Sequence, residues 1–121
     1  MFLASINKSK QLLYLSFIQQ VRAEELERSR EDVVTLLADL TAGFRLLTDF
    51  GRLDSLAADC ATEIGRMMDL FDQKGVGFVV RVIPDPTKDF GMNILSLFHY
   101  RSRPRILTCN SMMEAAELLA L

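Results

Sequence analysis

The stretch from Phe44 to Gly75 constrains the fold most, because it reads as a strand, a turn and a helix in one continuous unit. Phe44–Thr48 is a short apolar strand, and Asp49, Gly51, Asp54 and Ser55 then break its pattern. Past that break Ala61, Ile64, Met67, Met68 and Phe71 recur at helical spacing, as on a helix with one buried face. Gly75 closes the helix, since glycine takes the left-handed conformation of a helix end without steric cost. Polar side chains at such a turn collect where open α/β sheets place their sites, beyond the carboxyl ends of the strands.

The rest of the chain repeats this order. Phe2–Ile6 and Leu12–Ile18 read as strands of a hairpin around Asn7-Lys8-Ser9-Lys10. Arg22–Leu40 carries Leu26, Val33, Leu37 and Leu40 on one stripe and reads as a helix. Gly77–Ile83 is an apolar strand interrupted only by Arg81, and Pro84-Asp85-Pro86 stops it. Thr87–Tyr100 is expected to be a helix with Phe90, Ile94, Leu97 and Phe98 on its buried side. Ile106–Cys109 is a last strand, and Ser111 and Glu114 stand in capping-box spacing at the start of a helix over Ser111–Leu121. Helices between strands imply right-handed crossovers and a mainly parallel sheet, with the first hairpin as an antiparallel edge. The expected architecture is one α/β domain over residues 1–121, with about five strands and four helices.

Composition then excludes whole classes of function. The net charge of -2 gives no global pull toward nucleic acid or anionic lipid. No apolar run approaches the roughly 20 residues of a membrane-spanning helix. Two cysteines make no disulfide framework, so a cytoplasmic setting is the default. With those thiols and the single His99, an ordinary closed zinc site cannot be assembled. There is no nucleophile elbow, P-loop or zincin motif. Gly75-Val76-Gly77 follows a helix and precedes a strand, the reverse of a phosphate loop. No catalytic residue, metal or cofactor is implied, and the chain reads as a non-catalytic protein.

The strand and helix order is similar to that of the STAS domain, the fold of bacterial anti-sigma factor antagonists. Leu46-Leu47-Thr48-Asp49-Phe50-Gly51 resembles the strand end and turn of that family, and Gln73-Lys74-Gly75 with Val76–Val80 resembles its next helix end and strand. The resemblance implies a regulatory or signalling module that binds a protein such as an anti-sigma factor or a kinase. Regulated members carry a phosphorylatable serine before this helix. Counting from Asp49 puts that position near Asp59, a permanent carboxylate, while Ser55 beside Asp54 is an alternative acceptor in a shifted turn.

Each candidate residue also has a plainer role. Asp59 fits the first turn of a helix, where exposed amides favour a carboxylate. Asp54 and Ser55 are ordinary caps, and Asp49 fits a turn hydrogen bond. Cys60 sits where a thiolate would be stabilised, but burial as a small apolar residue is the favoured account. The expected partner-binding set is Asp49, Asp54, Ser55, Asp59 and Cys60. Arg101, Arg103 and Arg105 form a separate basic cluster able to hold an anion, or merely a solvated connection. In each adjacent pair, Met67-Met68 and Met112-Met113, one side chain should face the core. A homo-oligomer is compatible with the same surface. The competing reading is a carrier that holds a lipid or nucleotide in an apolar pocket near Phe90, Leu97 and Phe98, with Arg101 and Arg103 at a head group.

Overall fold

The structure, a computed structural model, describes residues 1–85 and 89–121. Pro86, expected to help stop a strand, and Thr87 and Lys88, expected to open the next helix, lie outside those residues, as does the side chain of Phe90. Nine elements follow in the order β1 (Phe2–Asn7), β2 (Leu12–Val21), α1 (Ala23–Leu37), β3 (Arg45–Leu56), α2 (Cys60–Lys74), β4 (Phe78–Val82), α3 (Asp89–His99), β5 (Arg105–Cys109) and α4 (Met112–Leu118). The sheet has the order β1-β2-β3-β4-β5, with β1 antiparallel to β2 and the other pairs parallel. Strand alternation divides the interior in two. Leu13, Leu15, Phe17, Leu46 and Val79 face a large core with residues of α1 and α2, while Leu12, Leu47, Val80 and Cys109 pack under Ala115 and Leu119 at α4.

The third strand is longer than its apolar run. It continues past Thr48 to Leu56, paired with β2 out to Val21. The residues that read as a turn instead make irregularities within a continuous strand. Register shifts fall opposite Phe50-Gly51 and opposite Asp54, each time with one residue more on β3 than on β2. Asp49 Oδ1 accepts the Gly51 amide at 2.8 Å, so the side chain folds back on its own backbone inside the strand. Polar and glycine residues mark a bulge as readily as a turn. The turn is therefore displaced to Ala57–Asp59, and Asp54 and Ser55 are strand residues rather than helix caps.

A buried charge sets the rotation of α3. Arg81 on β4 is 2 % exposed, and its guanidinium donates to Asn93 Oδ1 at 3.1 Å and to the Ser96 hydroxyl, with Asp89 Oδ1 3.6 Å away. Burial draws its pKa down, and neighbouring Tyr100 and Asp89 oppose that shift. A buried guanidinium without acceptors is costly, so α3 turns its polar residues inward. The expectation that Ile94, Leu97 and Phe98 face the core is thereby overturned: they are 40 %, 82 % and 72 % exposed. Ser96 and Tyr100 are buried instead, with Met92 and Leu95 partly buried against the core. The methionine pairs also depart from expectation, since Met67 and Met68 are both buried and Met112 and Met113 both exposed.

Glu63 joins α1 to α2. Its buried carboxylate accepts Arg30 at 2.6 Å and Arg66 at 2.9 Å. At the other end of α2, Gly75 takes φ 95°, and a Cβ there would lie 3.0 Å from Ala42 Cβ.

Candidate functional site

Because β3 outruns β4, its last residues pair with β2 alone and border a space between α2 and α3. The result is an open cleft of about 690 Å³ at the carboxyl end of the parallel strands. Phe50 and Leu53–Leu56 form one wall, Ala57, Ala58, Ala61 and Ile64 a second, and Ile83 with Gly91, Met92, Ile94 and Leu95 the third. Small side chains along Ala57–Ala61 keep the α2 wall low. The lining is almost wholly apolar, with Asp54 and Ser55 as its polar members.

The structure sorts the sequence candidates by position. Asp54, Ser55 and Asp59 are exposed, the first two on the cleft and the third immediately before α2. Asp59 occupies the cap position without a side-chain cap hydrogen bond, so its carboxylate is directed elsewhere than to the helix amides. Asp49 does not join them. It lies on the α4 face of the sheet, 6 % exposed, where Tyr14 donates to Oδ2 at 3.3 Å. Cys60 is fully buried and its thiol donates to the Val21 carbonyl at 3.4 Å. Burial, and after it the charge of Asp59, raise the Cys60 pKa, which disfavours a thiolate. Arg101, Arg103 and Arg105 are exposed at the opposite end of the strands from the cleft. Arg105 stacks 5.2 Å above the Phe78 ring, and Arg103 shares a shallower groove with Leu97 and Pro104.

Two features escaped the sequence reading. The cleft depends on the bulged extension of β3, whose polar residues suggested a chain reversal. The expected apolar pocket at Leu97 and Phe98 is not this cleft: neither side chain lines it, and α3 contributes Gly91, Met92, Ile94 and Leu95. Among the described residues, no group of three or more His, Cys, Asp or Glu side chains could hold a metal ion. Among them also, no helix is long and apolar enough to cross a membrane.

Comparison with solved structures places this geometry in a known class. The anti-sigma factor antagonist SpoIIAA in its unphosphorylated form superposes with TM-score 0.64 at 17 % identity, covering 99 % of this chain and 98 % of that one. An uncharacterised Shewanella loihica protein with a SpoIIAA-like fold gives TM-score 0.72 at 15 % identity, covering 98 % and 92 %. The phosphorylated form of SpoIIAA, a Bacillus cell fate determinant, gives 0.58 at 16 % identity, covering 98 % and 99 %. No family model and no curated protein matches the chain in sequence. The chain therefore has the SpoIIAA-like, STAS-type α/β fold.

Proposed function

We propose that this chain is a non-catalytic protein-binding module of bacterial regulation or signalling, acting in the cytoplasm like an anti-sigma factor antagonist. Its partner, a regulatory protein such as an anti-sigma factor or a kinase, docks where β3 ends and α2 begins. The observation that carries this reading is the coincidence of the apolar cleft with Asp54, Ser55 and Asp59. An apolar side chain of the partner fills the cleft, and the three polar residues set its orientation from the rim. Ser55, exposed on the cleft wall, is the proposed phosphate acceptor, and a phosphate there would add charge beside Asp54 and repel an acidic partner. SpoIIAA exists in phosphorylated and unphosphorylated forms. Cys60, being buried, supports the start of α2 from within, and Asp49 acts only through its hydrogen bond to the Gly51 amide in β3.

A second reading rests on the size of the same cleft. About 690 Å³ lies within the range of small-ligand sites, so a carrier would hold an apolar molecule there. Native capture separates the two. The wild-type chain, Asp59→Lys and the cleft-filling Ala61→Phe are each used as bait, and retained proteins and small molecules are identified by mass. One protein lost from both variants supports the binding module. A protein retained equally by all three sinks it, and a small molecule lost only from Ala61→Phe favours the carrier.

A further inference from the structure

The solvent side of α3 is as apolar as its buried side. Ile94, Leu97 and Phe98 project along one stripe, at 40 %, 82 % and 72 % exposure, and among the described residues of α3 Asn93 is the one exposed polar side chain beside them. A surface helix ordinarily reserves this face for charged residues. The rotation imposed by Arg81 accounts for which residues face inward, and it leaves the aromatic and aliphatic stripe outside. Directly beyond the helix come Arg101, Arg103 and Arg105, all exposed, and none is in an ion pair among the described residues. Leu97 and Arg103 line one groove, so apolar and basic groups form a continuous surface. The nearby acids are engaged: Asp89 with Arg81, Asp69 with His99, and Asp72 with the amide and hydroxyl of Ser102.

We infer that this face is an interfacial contact for an anionic lipid surface. Leu97 and Phe98 enter the boundary between head groups and acyl chains, and Arg101 and Arg103 meet the lipid phosphates. Phe and Leu projecting from a helix beside exposed arginines is the arrangement that holds a helix in the plane of a membrane. The arginines select the occupant, because a negatively charged surface complements them and a second copy of this same basic patch does not. Three apolar side chains also fall short of the roughly 800 Å² per partner of a stable protein interface. The contact uses none of Asp54, Ser55 or Asp59, so it goes beyond the proposed regulatory docking.

The test is sedimentation of the purified chain with vesicles of phosphatidylcholine alone, and of phosphatidylcholine mixed equally with phosphatidylglycerol. The expected result is binding to the mixed vesicles only, weakened by salt. Arg101→Ala and Arg103→Ala should each weaken it about fivefold, and Leu97→Glu/Phe98→Glu should abolish it. The chain has no tryptophan. Phe98→Trp therefore gives a sole reporter, whose emission should move to shorter wavelength on the mixed vesicles even if the double variant folds poorly. No binding to mixed vesicles, an unshifted emission, or equal binding by folded variants would overturn the inference. A dimer in light scattering that Phe98→Glu dissolves would assign the face to a second copy instead.

Discussion

A guanidinium held inside a sheet must take its acceptors from whatever packs over it, and for Arg81 these come from a single helix. Ser96 accepts from Arg81 and donates to the Met92 carbonyl at 2.8 Å, so the hydroxyl is used in both directions. Removing it leaves a buried charged donor short of a partner. Removing the charge instead leaves Ser96 bonded to Met92 and Asp89 Oδ2 bonded to the Thr108 hydroxyl at 2.9 Å, but it strands Asp89 Oδ1, which is buried and has no hydrogen-bond partner. The two losses are therefore unequal. Ser96→Ala is expected to cost about 1–3 kcal/mol, and Arg81→Met, which keeps the volume but leaves the Asp89 oxygen buried without its partner, about 3–5 kcal/mol. Urea denaturation of both variants gives the order. A larger loss for Ser96→Ala would mean that Asp89 finds water once the guanidinium is gone.

At the scale of elements, α2 and α3 meet at Gly65 and His99. A Cβ there would stand 2.5 Å from His99 Nε2, while His99 Nδ1 is 2.8 Å from Asp69 Oδ1. The imidazole is thus pinned between the helices, and Gly65 leaves the room it needs. Gly65→Ala must displace His99 and break its contact with Asp69, at an expected cost of about 1–3 kcal/mol despite the better helix propensity of alanine. With His99→Ala also present the space is free, and the double variant should recover most of that loss. Thermal unfolding of the four members of the cycle measures the coupling. Additive losses would show that the helices do not meet through this pair. This contact was illegible in the sequence, because nothing in the spacing of Gly65 and His99 announces it. The same holds for the facing of α3. Periodicity offered two apolar stripes on that helix, and only the partner requirement of Arg81, a residue on another element, selects between them.

The whole molecule was the most legible level. Strand and helix order, the antiparallel first hairpin and the parallel remainder follow from apolar runs and breakers that act locally. The cleft was half legible: its place beyond the strand ends follows from the topology, but its wall is a bulged strand written in residues that also write turns. Two cores on opposite faces of one sheet raise the question of whether they open together. The cysteines report on each separately, since Cys60 lies in the larger core and Cys109 under α4, at 0 % and 5 % exposure. Burial raises both pKa values, so neither thiol reacts readily in the native state. The α4 layer rests on a helix of seven residues capped by Ser111, which accepts the Glu114 amide at 3.2 Å. That is short of the length at which a helix holds its own structure, so the layer should open locally without unfolding the sheet. Thiol labelling in increasing urea, with rates normalised to those of the unfolded chain, should show Cys109 reacting at least about tenfold faster than Cys60, a difference of about 1.4 kcal/mol in opening. Cys60 should follow global unfolding. Equal normalised rates would instead make the two cores one cooperative unit, with α4 stabilised by the sheet as firmly as the helices on the other face.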